Sequence, residues 1–139
     1  MKTLALFSVT ILASLVFAGC SSNSSDTEVS EASLERPDDY VDYASEEQVS
    51  STSGDKLLFF HAPWCSQCQA MEKDILTNGL PRGVTVFKVD YDSYQDLRQK
   101  YGVTLQTTFV KVDDQGEKIA SYNPFESPEF SNVQAELLN

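Results

Sequence analysis

Three regimes of hydrophobic patterning follow one another along the chain. Leu4 to Ala18 is apolar except for Ser8, Thr10 and Ser14, whereas residues 21–44 are rich in Ser, Asp and Glu. From Ser45 onward, short apolar runs alternate with stretches of helical spacing. Ser45-Glu46-Glu47-Gln48 has the spacing of a capping box and opens a short helix ending near Gly54. Lys56 to His61 is a continuous run of strand length, the pattern of a central strand covered on both faces. Pro63 interrupts it. From Cys65 to about Asn78, Cys68, Met71 and Ile75 recur at helical spacing, and Asn78-Gly79 ends the helix. Val84–Asp90 is a second strand. Ser93 is placed to cap a helix carrying Tyr94, Leu97 and Tyr101, which Gly102 stops. Thr107–Val112 and Glu117–Tyr122 form a hairpin about Asp113-Asp114-Gln115-Gly116. Ser127-Pro128 begins a last helix with Phe130, Val133 and Leu137 on its apolar face. Two parallel crossovers followed by a hairpin predict an α/β fold, a mixed sheet with helices on both faces.

The boundaries predicted are 1–19 as an export signal, 20–44 as a tether and 45–139 as one folded domain. Tyr40, Val41 and Tyr43 are apolar enough to begin a short strand before residue 45. The leading apolar run is short of the roughly 20 residues a membrane-spanning helix needs. Lys2 ahead of it and the small Ala18 and Gly19 behind it are the flanks of an export signal. The acidic middle segment lacks the apolar surface to offset its ordering entropy, so an extended, self-repelling linker is expected.

The whole chain is 139 residues with a formal net charge of −11, which argues against nucleic acid as a partner. Three cysteines are too few for a disulfide-stapled scaffold, and the single histidine excludes sites built from several imidazoles. No exposed apolar face stands out, and a monomer is expected.

The chemistry lies in Trp64-Cys65-Ser66-Gln67-Cys68, where the buried strand turns into a helix. Cys65 sits at the positive end of the helix, beside unpaired backbone N–H groups that stabilise a thiolate. Cys68 is one turn further in and suited to attack a mixed disulfide. A reactive dithiol fits best. A metal site is the second possibility, although two Cys and one His fall short of the four ligands of structural zinc. An inert disulfide is weakest, since a four-residue loop removes little chain entropy.

Leu57–Met71, LLFFHAPWCSQCQAM, resembles the active-site segment of thioredoxins. Val89-Asp90-Tyr91-Asp92, Tyr101–Phe109 and Gly116-Glu117 resemble later thioredoxin segments, so the likeness spans residues 45–139. It implies the thioredoxin fold and thiol–disulfide exchange with protein thiols and disulfides, with no cofactor or metal beyond the redox-active Cys65–Cys68 disulfide. Carried over residue by residue, Cys65 is the nucleophile and Cys68 the resolving cysteine. Trp64 shields the pair and offers a docking surface, Pro63 shapes the turn, and Ser66 and Gln67 tune the potential. Gln106 and Thr107 line the site from the segment opposite.

Three departures stand out. Thioredoxins usually carry a cis-proline where this chain has Thr107, whose hydroxyl is placed to hydrogen-bond the Cys65 sulfur. They usually carry a buried acid where this chain has Phe59, which implies slower resolution of mixed disulfides. The dipeptide between the cysteines is Ser66-Gln67 rather than Gly-Pro. His61, four residues before Cys65, stands where the family has an aromatic at the site edge. A packed, partly exposed ring is expected there, with a proton carrier or metal ligand as alternatives.

Phe17-Ala18-Gly19-Cys20 resembles a bacterial lipobox, which implies cleavage before Cys20 and a lipid anchor on it. The expected protein is therefore an exported oxidoreductase held to a bacterial membrane on its periplasmic or outer face. An integral-membrane thiol electron carrier is a candidate partner. Two other functions use the same residues: soft-metal handling, such as Cu(I), by Cys65, Cys68 and His61, and a non-enzymatic binding scaffold.

Overall fold

Every residue from Lys56 to His61 is buried, which requires cover on both faces of this strand. The computed structural model, which describes residues 37–139, supplies that cover. In chain order the elements are β1 (Tyr40–Asp42), α1 (Glu46–Ser51), β2 (Asp55–His61), α2 (Ser66–Asn78) and β3 (Val84–Asp90). They continue with α3 (Gln95–Tyr101), β4 (Thr108–Val112), β5 (Lys118–Tyr122) and α4 (Phe130–Leu137). The five-stranded sheet has the order β1-β3-β2-β4-β5. β3 runs parallel to both β1 and β2, while β4 is antiparallel to β2 and β5. This is the expected mixed α/β sheet, with β2 at its centre. The export signal, Cys20 and most of the tether lie outside the described residues.

The core is continuous from Tyr40 and Val49 through the β2 and β3 aliphatics to Phe109, Val133 and Leu137. Phe59 and Phe109 face each other across β2 and β4, stacked at 4.4 Å and nearly parallel. Lys56 is buried in β2, yet its ammonium reaches Asp114 at 2.6 Å and the Gly54 carbonyl at 3.0 Å. The buried charge thereby keeps its partners.

The structure departs from the sequence pattern at element ends. The short strand anticipated before residue 45 is present: Tyr40–Asp42 pairs with Val86–Lys88 and Tyr40 is fully buried, so the folded part includes residues assigned to the tether. Ser45 does cap α1, accepting from Gln48 N–H at 3.2 Å. Ser93 does not cap α3. Its own N–H donates to the Asp90 carboxylate at 2.7 Å, so the end of β3 organises the turn. α4 starts at Phe130 rather than at Pro128, because Asp74 of α2 accepts the Phe130 N–H at 2.8 Å. A contact distant in sequence supplies that cap.

Gly54, with φ +87°, precedes β2 where the chain passes very close to Gly83. A Cβ at Gly54 would collide with the Gly83 carbonyl oxygen, which accepts the Asp55 N–H at 2.8 Å. Gly54→Ala is expected to cost about 2 kcal/mol or more, a fall in Tm of roughly 10 °C for a domain of this size. Thermal unfolding followed by circular dichroism measures it, and an unchanged midpoint would contradict this backbone approach.

Candidate active site

β2 delivers Ala62-Pro63-Trp64-Cys65 to the start of α2. The Cys65 N–H donates to the Ala62 carbonyl at 3.1 Å, closing a turn that sets the sulfur over the helix end. Cys65 is itself the helix N-cap, and its sulfur accepts the Cys68 N–H at 3.4 Å. Sulfur here takes the place of the oxygen that usually caps a helix. Cys68, one turn later, is fully buried, whereas Cys65 keeps 5% exposure. Both are free thiols.

Thr107 approaches from the opposite side, just before β4. Its N–H donates to the Phe60 carbonyl at 2.9 Å and its side chain is fully buried. The hydroxyl oxygen lies 3.6 Å from the Cys65 sulfur and 3.2 Å from the Cys68 sulfur. The expected contact with Cys65 is present, and a shorter one to Cys68 accompanies it. Thr107 has φ +65°, uncommon for any residue with a Cβ and more so for a β-branched one. Proline, fixed near −65° and lacking an N–H, fits neither this conformation nor the bond to Phe60.

The environment splits the two thiols. Burial pushes Cys65 up, but the Cys68 N–H, the Thr107 hydroxyl, the Cys68 thiol and the Gln67 N–H outweigh it, and the net shift is downward. Burial pushes Cys68 up to about 11, although Thr107 and the Ala62 backbone partly offset it. The arrangement makes Cys65 the more readily ionised thiol and holds Cys68 in reserve.

The other candidate residues fall into two groups. Trp64 is 61% exposed, with its indole N–H donating to Asp92 at 2.7 Å, and so offers a fixed apolar face beside the sulfurs. Pro63, on the same loop, and Ser66, the first residue of α2, are exposed. Gln67 donates to the Phe125 carbonyl at 3.1 Å. The Gln106 carbonyl accepts from Asn123 at 3.0 Å, and Asn123 also donates to Thr108. The loop after β5 is thereby tied to both halves of the site. His61 differs from its expected partly exposed place: it is 4% exposed and lies edge-on to Phe59. Its Nε2 lies 3.2 Å from Glu72 Oε2. Among the described residues, no group of three or more His, Cys, Asp or Glu side chains is placed to hold a metal ion.

Sequence reasoning passed over Leu105, Phe125 and Glu72. Leu105 and Phe125 are exposed apolar side chains on segments joined to the site through Gln106 and Gln67. Glu72 follows Cys68 by four residues, and a carboxylate on the same helical stripe as Cys68 and Ile75 was the available signal.

The thioredoxin family model matches residues 39–130. The chain belongs to the thioredoxin family. It is 31% identical to thioredoxin-1 of Drosophila melanogaster over 88 residues, which cover 60% of this chain and 81% of that one. It is also 36% identical over 76 residues to protein disulfide isomerase-like 2-2 of Oryza sativa, covering 50% of this chain and 20% of the longer relative. Among solved structures, a thioredoxin variant from Halobacterium salinarum superposes with a TM-score of 0.55 at 27% identity, covering 69% of this chain and 87% of that one. The fold and the Cys65–Cys68 pair are those of a thiol–disulfide oxidoreductase.

Proposed function

We propose that this thioredoxin-family protein exchanges disulfides with protein substrates outside the cytoplasm while a lipid on Cys20 holds it to a membrane. Cys65 attacks the substrate disulfide, Cys68 resolves the mixed disulfide, and Trp64 with the Leu105–Thr107 segment presents the substrate. The opposite shifts of the two thiols carry the catalytic assignment, because they separate an attacking thiolate from a protonated reserve. The apolar run Leu4–Ala18 and the Phe17–Cys20 sequence support export and anchoring. An acyl chain contributes about 0.8 kcal/mol per buried methylene, so several chains together hold firmly.

Two measurements test this reading. The purified domain is expected to accelerate insulin reduction by dithiothreitol, and inactivity would refute the exchange assignment. In a bacterial host, radiolabelled fatty acid is expected on the wild-type chain and absent from Cys20→Ala. Equal labelling of both would refute the anchor.

A further inference from the structure

The hydroxyl of Thr107 lies within reach of both reacting sulfurs, yet it has one hydrogen to give and two lone pairs to accept with. It can therefore donate to one sulfur while accepting from the other, but cannot donate fully to both. The groups that act on the two thiols are each other, this hydroxyl, and the backbone N–H groups of Ala62, Gln67 and Cys68. The Cys68 N–H is directed at Cys65, and among the described residues Thr107 alone brings a rotatable O–H to both sulfurs.

We propose that the Thr107 hydroxyl is a switching hydrogen-bond donor that follows negative charge from Cys65 to Cys68 during one turnover. In the dithiol, Cys68 S–H donates to Thr107 Oγ1, and Thr107 O–H donates to the Cys65 thiolate. Attack by Cys65 on a substrate disulfide R–S–S–R′ forms a Cys65–S–S–R bond and releases R′–S⁻, which takes a proton from water. Cys65 has then lost its charge. The Thr107 O–H turns towards Cys68 and stabilises its thiolate as the thiol proton passes to water. Attack of Cys68 on Cys65 forms the Cys65–Cys68 disulfide. It expels R–S⁻, which carries off the electron pair of the broken bond and is protonated from solvent. The dithiol is oxidised and the substrate reduced by the same two electrons. Thr107 is fully buried in the free dithiol, where the two sulfurs are the partners of its hydroxyl. The strained backbone at φ +65° is the local departure that accompanies its placement.

This proposal rests on the exchange reading above, and its test separates the two. An aromatic nitrobenzoate disulfide releases one coloured thiolate when Cys65 attacks and a second when Cys68 resolves the adduct. Thr107→Val and Thr107→Ala remove the hydroxyl at two different volumes, while Thr107→Ser retains it. Both hydroxyl-free variants are expected to slow the second release about tenfold and to raise the Cys65 midpoint, read at 240 nm, by about one pH unit. Thr107→Ser is expected to stay near wild type on both measures. Should Thr107→Val fail to fold, the Ala and Ser pair makes the same comparison without a branched side chain. An unchanged second phase in a hydroxyl-free variant, or a Ser variant as slow as Ala, would overturn the switching role. Wild-type protein that releases neither thiolate would overturn the exchange reading itself, and the proposal with it.

Discussion

Cys65→Ser is expected to reduce insulin-reduction activity by about a thousandfold or more, towards the uncatalysed background, because the remaining described thiol, Cys68, is fully buried and held protonated. Cys68→Ser is expected to fail differently. Its Cys65 thiolate still attacks, so the enzyme accumulates as a covalent adduct with its substrate, visible by mass spectrometry. The asymmetry follows from the environment of each sulfur. A thiol pushed up to about 11 is ionised in only about one molecule in ten thousand at pH 7. Cys65, shifted downward, is far more often a thiolate. Brief treatment of the reduced protein with iodoacetamide at pH 7 should therefore label Cys65 and leave Cys68 free. Resolution succeeds despite the high value because Cys68 is held one helical turn from its target, and a fixed neighbour acts as a very concentrated reagent. Stable adducts with Cys65→Ser but not with Cys68→Ser would reverse the two roles.

The parts of this site that could be read from the sequence are those set by local spacing. Two cysteines one turn apart, at the junction of an apolar run and a helical stripe, fix both the helix start and the direction of the sulfurs. The same periodicities marked β2, β3 and the apolar face of α4. What escaped depended on contacts distant in sequence. The Phe130 N–H finds its cap in Asp74, 56 residues away, so a proline signal for a helix start was misleading. The Thr107 hydroxyl meets Cys68, 39 residues away, as well as the anticipated Cys65. His61 looked like an edge residue because its partner, Glu72, lies on the next element. The short strand suggested by Tyr40, Val41 and Tyr43 is present as β1, and Tyr40 is buried against β3 and α2, contacts that the acidic composition around it does not reveal.

That Glu72 cluster carries the second large effect. One carboxylate accepts from Lys88 at 2.6 Å and from the Tyr40 hydroxyl at 3.1 Å, and its other oxygen faces His61. The His61 contact, opposed by burial and aided by the Lys88 ammonium, holds Glu72 at about 2 rather than the ordinary 4.5. Such a depression corresponds to about 3 kcal/mol of folding stability. Glu72 and Lys88 keep side-chain exposures of 21% and 22%, and solvent screening brings the expectation nearer to about 2 kcal/mol. The sign is that of a carboxyl whose folded value lies below its unfolded one. The contribution is complete above about pH 4.5 and is lost as pH falls towards about 2. Glu72→Gln preserves volume and hydrogen-bonding capacity but not charge. Its Tm at pH 7 is expected to fall by roughly 10 °C, and the gap to wild type should close as the pH approaches 2, where wild-type Glu72 is itself becoming neutral. A gap that held constant from pH 7 to pH 2 would mean that the substitution disturbs packing rather than charge. A gap near zero at pH 7 would mean that solvent already screens the cluster, leaving α2 fixed to the sheet by its apolar stripe of Cys68, Met71 and Ile75.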